Sequence, residues 1–382
     1  MKTSFGAAWA LRQIRELIKL GVEVHVSLPD GGPLVGSYEK VGAVEHLLQT
    51  DFPIRSPWTF LPLARNLRLL VDKVEPDIIH SHFVGTTLTM RLALGRNHHI
   101  PRVFQVPGPL HLEHPFFRKA EIATAGPQDN WIGSCQWTCE RYRLSGVDSN
   151  KIFLSYYGTD IDSYTQKLPG KIRKELGLSE ECKVVGLVAY MYAPKRYLGQ
   201  SRGLKGHEDL IDAIKICLGQ FPDLHCIIVG GAWSNANNYE HALRRYALQH
   251  CGNRVIFLGT RHDVPDIYSD INVAVHPSHS ENVGGAVESC LLGVPTITTN
   301  VGGFPDLIQD GITGWLVPPK QPKALAVAIT EALKDEAEAQ KRALSGQIFA
   351  HDLFDVRKTA AGIKSIYEKI VTDKSTQSAR LI

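Results

Sequence analysis

The sequence predicts an α/β protein made of two doubly wound domains with parallel sheets, and three observations lead there. Short runs rich in Val, Ile and Leu, such as 183–190, 224–229 and 273–276, alternate with longer amphipathic stretches, as buried strands alternate with crossover helices. Glycine turns follow these runs at Gly230-Gly231, Gly259, Gly284-Gly285 and Gly302-Gly303. The chain has 382 residues, which at roughly 150 residues per domain makes two domains with sizeable cores.

Composition sets limits on function. With 43% hydrophobic and 21% charged residues the chain reads as globular, not disordered. A formal net charge of +3 is too small to argue for a nucleic-acid partner. Arg12, Arg15 and Lys19 fall on one predicted helix and suit an anionic membrane surface, although a solvated helix face explains such spacing more often. The seven cysteines are odd in number and scattered through apolar segments, so they read as reduced core residues. No apolar run approaches the roughly 18 residues of a membrane span, and no charged-then-apolar leader opens the sequence, so a cytoplasmic protein is expected.

Taken in order, residues 4–20 predict an amphipathic helix and 22–28 a strand. A doubly wound domain normally opens with a buried strand feeding its first helix, and none precedes this one. Helix 61–74, strand 77–80, helix 86–95 and strand 102–106 continue the alternation. His80-Ser81-His82 puts two imidazoles on one strand face, half of a metal site at most, since no third ligand follows at usable spacing. Residues 107–114 read as a loop at a strand's carboxyl end, where substrate groups collect. Strand 130–134, helix 136–144 and strand 151–157 lead to Asp160-Ile161-Asp162, and 164–170 reads as a domain linker.

The second half repeats the pattern and carries the densest chemistry. After strand 183–190, Lys205-Gly206 opens helix 207–218, where a lysine beside a glycine turn is placed to meet a phosphate; a solvated lysine is the plainer alternative. Strand 273–276 runs into the loop SENVGG and a helix closed by Gly293. Backbone N–H groups around Gly284 and Gly285 can approach an anion closely. Glu288, one turn into the helix, is placed to accept hydrogen bonds from a ribose diol, and Glu281 on the loop to hold a second polyol. Two successive strand–glycine–helix units imply a ligand crevice at the carboxyl ends of parallel strands.

The run Pro277, Ser278, Glu281, Gly284, Glu288, Gly293, Pro295, Gly302, Gly303, Asp310, Gly311, Gly314, Pro318 and Pro319 resembles the donor site of family 4 glycosyltransferases, retaining enzymes of the GT-B fold. Six residues separate Glu281 from Glu288, one fewer than the family pattern. The resemblance implies two Rossmann-like domains facing a cleft: 1–166 on the acceptor side, 171–350 for the donor, and 351–382 returning to the first domain. It assigns Lys205 to the donor diphosphate, with Arg202 or Arg196 in place of the family's strand-end arginine, where Tyr190 or Met191 stands here. It places Glu288 on the nucleotide ribose, Glu281 on the donor sugar with Lys205 as its catalytic partner, and Asn282, Val283, Gly284 and Gly285 around the donor. Gly6, His82 and either His111 or His114 fall on the acceptor side, and Asp160 belongs to a strand end and not to a metal site.

The expected activity is retaining, metal-independent transfer of a sugar from a nucleotide diphosphate, by default UDP, to a glycan or lipid-linked acceptor. No cofactor beyond the nucleotide-sugar co-substrate is expected. A nucleotide-sugar 2-epimerase of the same fold and a non-catalytic subunit of a glycan assembly complex are the alternatives.

Overall fold

The computed structural model describes residues 8–108, 110–196 and 199–379, so Gly6 lies outside the described residues. The chain divides into two compact units, Met1–Asp160 with Leu353–Ile382, and Ile161–Asp352. The first division precedes the expected linker for a local reason. Within the second unit Tyr164 Oη donates to Glu288 Oε1 at 3.3 Å and Gln166 Nε2 to the Leu292 carbonyl at 2.9 Å.

The first unit contains β1 (His25–Leu28), β2 (Val44–Leu47), β3 (Ile79–Ser81), β4 (Arg102–Gln105), β5 (Asp129–Gly133) and β6 (Ile152–Leu154). All pairings are parallel, but they form two separate sheets, β1-β2 and β3-β4-β5-β6. The helix Ala8–Lys19 buries Ala10, Ile14 and Leu17, the one-face spacing of an amphipathic helix. Leu17 packs with Val103 and Ile132 of the sheet and with Ala360, Ile363 and Ile370 of the long helix Val356–Ala379, which thereby belongs to this unit. On the same helix, Arg15 pairs with Glu16 and Asp160, and Lys19 with Glu16, so local carboxylates neutralise two of the three cations suggested for a membrane surface. Residues 107–114, expected as a loop, include the short helix Leu110–Glu113, with Pro115–Ala123 following.

The second unit contains β7 (Val184–Val188), β8 (His225–Val229), β9 (Val255–Gly259), β10 (Val273–His276), β11 (Thr296–Thr299) and β12 (Trp315–Val317). They form one parallel sheet in the order β12-β11-β10-β7-β8-β9. Its strands are apolar almost throughout because both faces are covered. Along β7, Val185 and Leu187 join a core with Leu210 and Ile214 of helix His207–Cys217, while Val184 joins one with Tyr268 and Ile271. Helices Asn237–Cys251 and Glu336–Phe354 complete this unit beyond the elements expected. Among the described residues no helix is long and apolar enough to cross a membrane.

Candidate active site

In the second unit the strand order reverses between β7 and β10, and such a switch point opens a crevice at the carboxyl ends of its two strands. The loop after β7 delivers Lys205 to it, and the loop after β10 delivers Glu281. Lys205 Nζ forms an ion pair with Glu281 Oε2, with side chains 18% and 11% exposed. Ser278 Oγ also donates to Glu281 Oε2, at 3.3 Å, and the Asn282 N–H donates to Oε1 at 3.1 Å. Two glycines make close approach possible, Gly206 between these loops and Gly302 from the loop after β11. Gly206 has φ +68°, and a Cβ there would lie 2.0 Å from the Pro277 carbonyl oxygen. Gly302, φ +52°, passes so close that a Cβ would lie 1.7 Å from the Glu281 carbonyl oxygen. The His279 N–H donates to the Leu204 carbonyl at 2.8 Å and stitches the two loops directly.

Beneath the pair lie two buried imidazoles that the sequence reading did not single out. His276 bonds Ser289 Oγ through Nε2 at 3.1 Å, and burial, helped by the charge of Lys205, pushes its pKa down to about 3. Burial also pushes His207 down to about 4, with Lys205 again lowering it. Both rings are therefore neutral under the lysine and leave it as the local positive charge. Beside it, Lys205 Nζ sits 5.8 Å from the centroid of Tyr192, whose phenol is raised to about 12 by burial first and by Glu281 second. Tyr192 stacks on Trp233 at 5.4 Å, and Tyr190 meets the same indole edge-on at 5.1 Å. The signal for this patch was the Tyr-Met-Tyr run following β7 and the tryptophan just beyond Gly230-Gly231.

The other expected donor residues are distributed as follows. Glu288 stands in the first turn of helix Ala286–Leu291 and accepts from Tyr164. Asn282 and Val283 are buried, and Asn282 Oδ1 has no hydrogen-bond partner among the described residues, an acceptor available to a ligand hydroxyl. Arg202 is not turned to Lys205 and Glu281: its Nη1 pairs with Asp209 and, at 2.8 Å, with Asp212, both on helix His207–Cys217. Asp209 also holds His279, so the arginine belongs to a carboxylate network beside the crevice. Arg196 is exposed on the loop.

In the first unit His82 and His111 occupy different surroundings. The His80 and His82 rings stack at 4.3 Å, with His82 Nδ1 3.2 Å from Tyr157 Oη and Trp9 against its ring edge at 5.0 Å. Their faces pack on one another, unlike ligands converging on an ion. His111 Nε2 lies 3.4 Å from Tyr142 Oη, and burial pushes its pKa down to about 4. Asp160 accepts from Arg15. Among the described residues no group of three His, Cys, Asp or Glu is arranged to hold a metal, and all seven cysteines are buried and free.

Comparison with known proteins matches this architecture. The family model of glycosyltransferase family 4 matches residues 7–163, and that of glycosyl transferases group 1 matches residues 196–346. The D-inositol 3-phosphate glycosyltransferase of Corynebacterium glutamicum is 28% identical over 401 residues, covering 96% of this chain and 92% of the relative. The lipopolysaccharide core biosynthesis mannosyltransferase LpsB of Rhizobium meliloti is 27% identical over 52% of this chain and 55% of its own length. Among solved structures, Anabaena HepE in complex with UDP superposes with a TM-score of 0.80 at 23% identity, covering 95% of this chain and 96% of HepE. A glycosyltransferase from Rickettsia africae does so with a TM-score of 0.78 at 17% identity, covering 97% of each chain. With one family model on each unit, in the order the fold requires, the chain belongs to the family 4 glycosyltransferases of the GT-B fold.

Proposed function

We propose that this glycosyltransferase moves a hexosyl group from a UDP-sugar to a glycan or lipid-linked acceptor, with retention at the anomeric carbon and without a metal ion. The observation that carries the reading is the Lys205–Glu281 pair at the β7/β10 switch point. A diphosphate entering there competes with Glu281 for Lys205. The lysine then meets the phosphate, and the freed carboxylate, still held by the Asn282 N–H, accepts hydrogen bonds from donor hydroxyls.

In the reaction the bond from the anomeric carbon to the diphosphate oxygen breaks, positive charge grows on the sugar ring and negative charge on the departing phosphate. Lys205 and the N–H groups around Gly284 and Gly285 stabilise that phosphate where its charge develops, the electrostatic form of catalysis. The same phosphate oxygen takes the acceptor hydroxyl's proton while the acceptor oxygen bonds the anomeric carbon on the face that the phosphate leaves. Glu281 keeps the ring in attack geometry and Glu288 holds the ribose. UDP is preferred as the nucleotide because HepE is solved with UDP and with UDP-glucose. Glycan and lipid-linked acceptors follow the names of relatives such as LpsB.

Calorimetric titration of the chain with UDP, GDP and ADP, with magnesium or with chelator, tests this reading. UDP is expected to bind equally in both conditions, and Lys205→Ala and Glu288→Ala are each expected to lose about 1–3 kcal/mol, the worth of a charge-assisted contact. Unchanged affinity in both variants would sink the site. Donor binding without sugar transfer to any acceptor would make the chain a binding subunit.

A further inference from the structure

We propose that the first unit docks on an anionic lipid surface, with Ile54, Trp58 and Leu61 entering the layer between headgroups and acyl chains and Arg55 and Arg65 resting among the headgroups. This surface belongs to the first unit alone, and its docking is independent of the nucleotide that the second unit takes. Three observations converge on it. The first is apolar exposure. Single exposed apolar side chains are ordinary, but Ile54, Trp58 and Leu61 are 75–79% exposed within one short segment. Leu61, Arg65 and Leu69 then follow at spacings of four along the helix Phe60–Val74 and share one face, while Ala64, Leu67 and Val71 are its buried residues.

The second is a loop shaped to present these side chains. The Phe52 and Phe60 rings meet at 5.7 Å and close its base, and Phe60 packs against the core of Ala64 and Leu67. Between them the Ile54 N–H donates to the Phe52 carbonyl at 2.9 Å, the Ser56 N–H to that of Pro53 at 3.2 Å and the Thr59 N–H to that of Ser56 at 3.0 Å. Pro53 and Pro57 fix two φ angles, the second opening the 3-10 turn Pro57–Thr59. A wedge held in this way loses little conformational freedom when it inserts. The loop hangs from the carboxyl end of β3, because Thr86 Oγ, on the helix Val84–Leu94 that follows β3, donates to Asp51 Oδ1 at 3.3 Å. The third is charge. Residues 52–71 contain Arg55, Arg65 and Arg68 and no Asp or Glu. Arg55 and Arg65 are exposed, and neither forms an ion pair among the described residues. Arg15 and Lys19, by contrast, are neutralised by carboxylates beside them. Tryptophan and aliphatic side chains interleaved with unpaired guanidinium groups suit the interface of an anionic bilayer. A second copy of the chain brings the same positive charge and is disfavoured there.

The test is flotation of the full chain with vesicles of phosphatidylcholine and phosphatidylglycerol in equal parts, and with vesicles of phosphatidylcholine alone. Binding to the anionic vesicles is expected, weakening as salt is added, with little binding to the neutral ones. Arg55→Gln with Arg65→Gln is expected to lower partitioning about 25-fold, about fivefold for each arginine. Ile54→Ser with Trp58→Ser is expected to lower it by more than about tenfold. Both double variants should keep the parent's melting temperature, since the four side chains lie outside the core. Absence of binding to anionic vesicles at low salt overturns the proposal. So does undiminished binding by either double variant, which places the contact elsewhere. Stronger capture by poly-glutamate than by the vesicles overturns it in favour of an acidic protein partner. A dimer that forms with rising protein concentration and is lost in Ile54→Ser with Trp58→Ser also overturns it, because a second copy then covers the surface.

Discussion

The two units are built on the same alternation of strand and helix, yet they hold their central layers together by different means. In the second unit six strands form one sheet with an apolar core on each face. In the first unit the sheet is divided, and four charged groups lie in the interior. Arg91, Arg102, Glu121 and Asp129 are each at most 1% exposed. Arg91 pairs with Glu121 at 2.6 Å and with Asp129 at 2.9 Å, and Arg102 pairs with Asp129. Trp131 Nε1 donates to Glu121 at 3.0 Å. Desolvation of such a cluster is offset only while every partner is present. Removing one member of this cluster therefore strands a buried charge, whereas removing an apolar side chain from the cores of the second unit does not.

Arg91→Met is the sharpest way to expose that contrast. It leaves Glu121 short of its cation and Asp129 with Arg102 alone, and the expected cost is about 3–5 kcal/mol in urea unfolding followed by tryptophan fluorescence. Leu210→Ala in the second unit removes packing without stranding a charge, and about 2–5 kcal/mol is expected according to how well the site collapses. If Arg91→Met costs under 1 kcal/mol, the buried cluster is not what holds the first unit.

The two units also differ in how readily their parts could be seen in the chain. The strand Val273–His276 and the helix starts at His207 and Pro322 were legible because apolar runs there end at glycine or proline, and the local signal agrees with the burial. β2 was not, because Val44 and Leu47 are 44% and 60% exposed on an edge strand and show no inward alternation. Helix Asn237–Cys251 was missed because its buried stripe is only Leu243, Ala247 and Cys251, embedded in polar residues. At the site, Lys205 and Glu281 were legible as candidates through the family resemblance, not through their neighbouring glycines alone. Their pairing was not, since a contact across 76 positions is a product of the sheet order and not of spacing. Arg202 differs, because its carboxylate partners are close in sequence, on the next helix, and compete with any phosphate.

A second comparison sets one glycine of each unit against the other. Gly206→Ala needs a left-handed backbone and drives a Cβ into the Pro277 carbonyl, so about 3 kcal/mol of stability is expected to be lost, together with most donor affinity as Lys205 is displaced from Glu281. Gly146→Ala in the first unit meets nothing within 4 Å at φ +86°, and only about 1 kcal/mol is expected. Equal costs would mean that the close approach of the two loops in the second unit is not what requires glycine.

Acid tests both units through their histidines. His80 is held at about 3 and His111 at about 4 in the first unit, His207 at about 4 and His276 at about 3 in the second, each by burial foremost. These folded values lie below the ordinary 6.5, so the unfolded chain binds protons first. Stability is full above pH 6.5 and falls as pH drops toward 4, at up to about 1.4 kcal/mol per pH unit for each histidine. His111→Gln is expected to flatten the fall by one histidine's share, measured as urea midpoints between pH 7 and 5. A slope unchanged by that variant removes His111 from the account.

The smallest effect is expected where the second unit has redundancy. Arg244 pairs with Glu240 at 2.8 Å one helical turn away, is 40% exposed, and lies over the Phe257 ring at 4.8 Å. Such a pair contributes about 0.3–0.5 kcal/mol, and the ring contact adds at most a comparable amount at an exposed site. Glu240 has a second duty, because its Oε2 accepts from the Ala232 N–H at 2.9 Å and so anchors the turn that carries Trp233 to the edge of the crevice. Arg244→Ala leaves that bond in place, and less than about 1 kcal/mol of stability and no donor affinity should be lost. Glu240→Ala releases the turn, and donor affinity should fall with a smaller change in melting temperature than Arg91→Met produces. If Arg244→Ala weakens donor binding as much as Glu240→Ala, the ion pair itself positions the turn, and the crevice of the second unit is as dependent on single charges as the interior of the first.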